Sequence, residues 1–329
     1  MKFGLLVIGP AGSGKSTFCY YLQQHMQIVR RPCRLVNLDP AAEYFAYTPD
    51  IDIRDLVTVQ DVAEELELGP NGALVCAMEF LQQRLDWLEE QIADYDEDEL
   101  FVLDCPGQIE LYTHLPLMAE ICSSMQLWGL RLGACCCLDV SFMTDAAKLL
   151  GGSLMALSAM VQLELPHINL LTKCDLVDKN VSLAVRQSRV KARGSRLERL
   201  SGQVSGDDDS DGENEKEGFC RNFGLSTAPW RLPDESLDER DATIDLLLSR
   251  DPQELVQQLD ECMPERYKLL NAAFASLLED YSLVSYLPCN VFDEDSLAVV
   301  TAAIDHSLQY GEDLEVRDTD PVLQSAEGE

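Results

Sequence analysis

Positive charge is what this 329-residue chain has least of: 25 lysines and arginines stand against 58 aspartates and glutamates, a formal net charge of −33. That deficit argues against direct, sequence-independent nucleic-acid binding, which needs surplus Lys and Arg to neutralise phosphates. It argues equally against an anionic membrane surface as the main partner. Histidine is scarce. The four present (His25, His114, His167 and His306) are scattered and none pairs with a cysteine at ligand spacing, so zinc is not expected. Cysteine is plentiful, at twelve, but no C-x-x-C occurs and Cys135, Cys136 and Cys137 are consecutive within an apolar run. They read as reduced thiols acting as small core hydrophobes, hence as belonging to an intracellular protein. The longest uncharged stretch, Leu149 to Leu163, has fifteen residues with Ser, Gln and Gly among them, and reads as a core helix rather than a membrane span. Met1-Lys2 is followed by an apolar run that stops at Gly9 with no cleavage site, which argues against a secretory signal.

What is present is organised around residues 3 to 17. Phe3 to Ile8 has the apolar content of a buried strand and leads into Gly9-Pro10-Ala11-Gly12-Ser13-Gly14-Lys15-Ser16-Thr17. The first eight of these fit G-x-x-x-x-G-K-[ST], and helical spacing resumes with Phe18, Tyr21, Leu22 and Met26. Strand, glycine loop and helix together predict a phosphate-binding loop. The backbone of Gly12, Ser13 and Gly14 and the helix start at Lys15–Thr17 would cradle phosphate, Lys15 would reach the β- and γ-phosphates, and the Ser16 hydroxyl would ligate Mg²⁺.

The rest of the chain supplies further strand ends carrying polar residues. A strand over Arg34–Leu38 ends in Asp39-Pro40-Ala41, and 43–59 reads as a mobile loop before a short helix over Val62–Leu68. Gly69-Pro70-Asn71-Gly72 has the chemistry of an ordinary helix–helix turn, followed by one helix over Ala73–Ile92. The strand Leu100–Leu103 ends in Asp104-Cys105-Pro106-Gly107-Gln108. Asp104 is the expected second magnesium partner, Gly107 a donor to a γ-phosphate, and Gln108 a residue that orients water. A helix over Leu111–Trp128, a strand over Leu130–Val140 and a helix over Asp145–Leu163 follow. A strand over His167–Leu171 then leads to Thr172-Lys173-Cys174-Asp175. An Asp175 carboxylate can accept from both N1–H and the 2-amine of guanine, adenine offers neither donor, and Lys173 would lie along the base plane. Residues 182–240 are rich in Gly, Ser and segregated charge and read as a disordered insertion. Two helices, over Ile244–Leu259 and Tyr267–Leu278, come next. A last strand over Leu283–Leu287 ends in Pro288-Cys289, expected to border the base, before a final helix over Asp293–Tyr310. The expected division is therefore 1–181 and 241–315 as two parts of one nucleotide-binding domain, the 182–240 insertion, and an acidic tail from 316 to 329.

Taken in order, Gly9–Thr17, Asp39-Pro40-Ala41, Gly69-Pro70-Asn71, Asp104–Gln108 and Thr172–Asp175 resemble the GPN-loop GTPases. Leu111–Pro116 and Gln309–Glu315 look like one eukaryotic branch of that family. The resemblance implies an α/β fold of the P-loop NTPase kind, three αβα layers on a mostly parallel sheet, with GTP or GDP and Mg²⁺ bound. It implies that Gly69-Pro70-Asn71 reaches across a dimer interface so that Asn71 steadies the partner's γ-phosphate region, a role turn chemistry alone does not show. Catalytic roles then fall to Lys15, Asn71 and either Asp39 or Gln108 as the residue positioning water. A homodimer, or a heterodimer with another GPN-loop GTPase, is implied. So are contact with RNA polymerase II subunits in its assembly and nuclear import, and a cytoplasmic location with shuttling to the nucleus. Two other readings stand beside it: a P-loop ATPase or nucleotide kinase, and a non-catalytic scaffold in which GTP sets the shape of a dimer.

Overall fold

The computed structural model describes residues 1–43, 46–176, 244, 248, 252–280 and 285–311. The insertion expected over 182–240 and the tail over 316–329 lie outside these described residues. Contacts divide the chain into two compact units, one formed by Met1–Asp139, Gly152–Lys173 and Ser282–Glu329, the other by Val140–Gly151 and Cys174–Tyr281.

The first unit is built on seven strands: β1 (Lys2–Ile8), β2 (Cys33–Asn37), β3 (Ile51–Asp52), β4 (Leu100–Asp104), β5 (Leu130–Asp139), β6 (His167–Thr172) and β7 (Tyr286–Pro288). They lie in the order β3-β2-β4-β1-β5-β6-β7, and every described pairing is parallel. Strands buried on both faces need unbroken apolar runs, which is why β1 and β4 contain almost nothing else. Their side chains alternate between two cores. Leu6, Ile8, Val36, Phe101, Leu103 and Cys136 point to one, and Phe3, Leu5, Val7, Leu35, Val102, Cys135 and Cys137 to the other. The three consecutive cysteines thus serve both faces as buried, free thiols, and burial pushes the Cys135 and Cys136 thiols well above their usual range.

Helices cover both faces. The first core takes α2 (Val59–Leu66), α3 (Pro70–Gln83), α4 (Leu85–Ala93), α5 (Glu110–Thr113), α6 (Leu117–Leu127) and the later part of α7 (Ala146–Leu163); the second takes α1 (Lys15–Ile28) and the C-terminal helix. By length and composition α7 is apolar enough to cross a membrane, with eighteen residues at mean hydropathy 1.4. It is longer than the fifteen-residue uncharged stretch because it also takes in Ala146, Ala147 and Lys148. Ala156, Ala159 and Leu163 are packed into the first core, so this part behaves as a core helix. In the second unit, α8 (Pro252–Cys262) and α9 (Lys268–Asp280) bury Leu255, Leu259 and Ala275, and Asn271 donates to Asp260 at 3.1 Å. The final helix, α10 (Glu294–Leu308), belongs to the first unit. It is capped by Asp293, and its Asp305 pairs with Arg31, which also lies over the Tyr310 ring.

Four expectations need correction. The segment read as a mobile loop over 43–59 contains β3 and a 3-10 turn at Ile53–Asp55. Main-chain pairing with Val36 and Asn37 and burial of Ile51 and Ile53 hold it there. Of Gly69-Pro70-Asn71-Gly72, read as a turn between helices, only Gly69 lies in the connection from α2: it is the N-cap of α3, and Pro70 is the first residue of that helix, where a missing N–H costs nothing. The single helix over Ala73–Ile92 breaks at Arg84, whose backbone leaves the helical region. The helix over Leu111–Trp128 is interrupted before Leu117, because Pro116 cannot continue a helix from the preceding turn.

Candidate nucleotide site

The carboxyl ends of the parallel strands meet along one edge, and β1 lies where the chain switches from building one side of the sheet to the other. Such a switch point is where open α/β sheets bind ligands. Asp104 is level with Val7 and Asn37, and Asp139 with Thr172. The Gly9–Gly14 loop leaves β1 at this edge and rises into α1.

The loop is shaped for close approach. Gly9 has φ 138°, and a Cβ there would stand 2.3 Å from the Cys137 carbonyl oxygen of β5. A Cβ on Gly107 would meet the Ala11 Cα at 2.9 Å, so the Pro106-Gly107 turn is pressed against the phosphate loop. Gly9→Ala therefore has neither the backbone freedom nor the room. It is expected to cost about 1–3 kcal/mol, read as a lower urea midpoint, and an unchanged midpoint would contradict the close contact with β5.

Helix α1 begins at Lys15 with Gly14 as a left-handed N-cap. No side chain caps it and its first turn has no acidic residue. Its N–H groups and the positive end of its dipole are thus open to an anion. Lys15 is buried, and its Nζ donates to the Pro10 carbonyl at 3.2 Å. The Ser13 hydroxyl oxygen is buried without a partner among the described residues, another polar atom awaiting one inside the loop. Gly12 and Thr17 are exposed. These features fit a bound phosphate chain.

The magnesium pair is also brought together. The Ser16 hydroxyl lies close enough to Asp104 to favour its carboxylate, and Tyr47 donates its phenol to Asp104 Oδ2 at 2.7 Å. Burial pushes the Asp104 carboxyl up, opposed by Ser16, by the Tyr47 bond and by Lys15. Among the described residues no group of three or more His, Cys, Asp or Glu is placed to hold a metal. A hydroxyl and a carboxylate suit Mg²⁺, which keeps several waters and draws other ligands from phosphate. Asp39 lies just beyond β2. Its amide donates to Asn37 Oδ1 and its Oδ1 accepts from the Ala41 amide at 3.0 Å. Burial raises its carboxyl, opposed by that bond and by Lys15. Gln108 is half-buried, and its Oε1 has no partner among the described residues.

Toward the base-side loops, Thr172 Oγ1 donates to the Ser13 carbonyl at 2.6 Å and bonds the Leu138 carbonyl at 3.1 Å, fixing β6 to the phosphate loop. Lys173 follows in the left-handed region at φ 59°, its Nζ 2.7 Å from Asp139 Oδ2. A non-glycine residue held there stores about 1–3 kcal/mol, a common mark of functional turns. Pro288 ends β7, and the amide of buried Cys289 donates to the Leu171 carbonyl at 2.8 Å. That bond sets the Pro288-Cys289 turn beside Thr172 at the end of β6. Asp175 lies on a 3-10 turn, Cys174–Leu176, in the second unit. Gly69, Pro70 and Asn71 are exposed at the start of α3 and are not brought to the phosphate loop of their own chain by any contact among the described residues.

Sequence reasoning missed Tyr47 and the network behind Asp39. Asn37 Nδ2 donates to Asp52 Oδ1 at 2.8 Å, and the Arg54 guanidinium pairs with Asp52 at 2.6 Å. Burial alone would raise the Asp52 carboxyl, but the Arg54 and Asn37 bonds outweigh it and hold it below the usual range. Tyr47 shares its segment with two other aromatics, Tyr44 and Phe45, so nothing in the sequence singled it out.

Residues 7–211 match the family model described as a conserved hypothetical ATP binding protein. The chain is 39% identical over 313 residues to GPN-loop GTPase 3 of Dictyostelium discoideum, covering 95% of this chain and 89% of that one. It is 40% identical over 320 residues to GPN-loop GTPase 3 of Aspergillus fumigatus, covering 96% and 94%. Its fold superposes on the apo crystal structure of a GTPase from Pyrococcus abyssi with a TM-score of 0.63 at 16% identity, over 93% of this chain and 97% of that one. A glycine loop between the first strand and first helix, at the switch point of a parallel sheet, defines the class as a P-loop nucleoside triphosphatase. Within it, the chain belongs to the GPN-loop GTPase family.

Proposed function

We propose that this chain binds GTP with magnesium and hydrolyses it, working as a nucleotide-controlled dimer in the assembly and nuclear import of RNA polymerase II. The observation that carries the hydrolytic part is the uncapped start of α1, with Lys15 buried at its first position and Ser16 near the buried Asp104 carboxylate. The loop N–H groups and Lys15 would hold the β- and γ-phosphates, and Ser16 and Asp104 would hold the metal. Bound magnesium supplies charge neutralisation on the phosphate oxygens. Of the two candidates for positioning water, Gln108 is better supported. Its carbonyl oxygen is an unused acceptor among the described residues, whereas one oxygen of Asp39 already serves the Ala41 amide. Asp39 would then act through charge and loop position.

Dimer control is supported by the surface around the GPN residues. Asn71 does not cap its own helix, and Leu66 and Leu68, just before that helix, are exposed. An exposed amide that caps nothing, set among exposed apolar side chains, suits a contribution to a second copy or a related subunit. The polymerase role and the cytoplasmic location with nuclear shuttling rest on the family resemblance. Affinity purification from cells with mass identification tests them, and the absence of polymerase subunits would remove them.

The family model's description names ATP, whereas the relatives are named as GTPases. Thr172–Asp175 favours guanine, because a carboxylate facing adenine is left without donors. Competition for a fluorescent GDP analogue decides the matter. Unlabelled GTP and GDP are expected to displace it, while ATP at about a hundredfold excess leaves it bound. Equal displacement by ATP would favour the ATPase or nucleotide-kinase reading.

A further inference from the structure

Tyr47 sits on the connection between β2 and β3, further along the same segment as Asp39. Its ring is only 8% exposed and packs in the core that holds Phe18, Cys19 and Leu22 of α1. From there its phenol reaches Asp104, itself 2% exposed, at 2.7 Å. A hydroxyl-to-carboxylate bond of this length is of the stronger, charge-assisted kind, and burial makes it costly to break without a replacement. A carboxylate has about four acceptor positions, so the bond from Tyr47 leaves room for a water of a hydrated cation.

Resting on the GTP–magnesium reading above, we propose that Tyr47 is a positioning residue for the metal: its phenol holds the Asp104 carboxylate in the orientation that receives hydrated Mg²⁺. The same bond fastens Tyr47, on the connection between β2 and β3, to the end of β4. Groups that orient a metal's partners from outside its coordination sphere typically change metal affinity by about 10–100-fold when removed.

The test uses the full chain and the release of a fluorescent GDP analogue across a magnesium titration. In Tyr47→Phe, which keeps the ring in its core, the magnesium concentration for half-maximal retention is expected to rise about tenfold. Release in EDTA is expected to stay within about twofold of wild type, because the phenol acts only through the metal's partner. An unchanged half-saturation would mean that the phenol merely satisfies a buried carboxylate, and a lowered one that it competes with the ion; either overturns the proposal. Asp104→Asn provides a second arm. Adding Tyr47→Phe to it should shift the magnesium requirement no further, and an undiminished additional shift would show that Tyr47 does not act through Asp104. Wild-type protein that retains the analogue in magnesium but loses it in EDTA supports the underlying reading whatever Tyr47 does. Failure of wild type to bind it at all overturns both.

Discussion

Lys15→Ala is expected to lower GTP hydrolysis by about two to three orders of magnitude, measured as phosphate release under single-turnover conditions. The size of the effect follows from where the ammonium lies. Lys15 is buried at the first position of α1, and its positive charge acts on both Asp39 and Asp104. A preorganised cation in a water-poor site stabilises developing phosphate charge far better than one in solvent. Truncation also leaves the half-buried Asp39 and the buried Asp104 without the cation that opposes their neutralisation, so both should be protonated more readily. Nucleotide affinity should fall as well, because the open helix end must then hold the phosphates alone. A single-turnover rate equal to that of wild type would remove the phosphate loop from the mechanism.

Asn71→Ala is expected to lower kcat by about tenfold or more while KM and GTP affinity change little, measured at protein concentrations that keep the dimer together. Asn71 stands at the second position of α3, exposed, where it neither caps the helix nor supports the core. Removing it should therefore leave folding and ground-state binding almost untouched. A contribution made to a partner's transition state appears as lost turnover, whereas a ground-state contact would appear as lost affinity. Equal losses in both would contradict the role in trans, and unchanged turnover would leave Gly69-Pro70-Asn71 as a helix start only.

The phosphate loop was legible because its chemistry is local. Gly9, Gly14, Lys15 and Ser16 act through spacing along one turn, and the apolar run before them and helical run after them supply the context. Asp39, Asp104 and Thr172 were legible for the same reason, as polar residues that end apolar strands. The break before Leu117 was passed over when one helix was read across Leu111–Trp128, although Pro116, which lacks an N–H, marks it locally. The break at Arg84 was not legible, because apolar spacing continues unbroken across it. Nor was β3, a strand of two residues that exists only through pairing with Val36 and Asn37.

Residue order and chemistry alone determined that this protein has a parallel α/β scaffold, a phosphate-binding loop and a family, because strand ends, glycine spacing and apolar runs are short-range properties. Tertiary structure alone decided which side chains meet. It joined Tyr47 to Asp104 across 57 residues and Thr172 to Ser13 across 159, and it left the oxygen of Gln108 without a partner among the described residues. Those contacts depend on strand order and register, which arise when the whole sheet closes over two cores, and no window of neighbouring residues contains them.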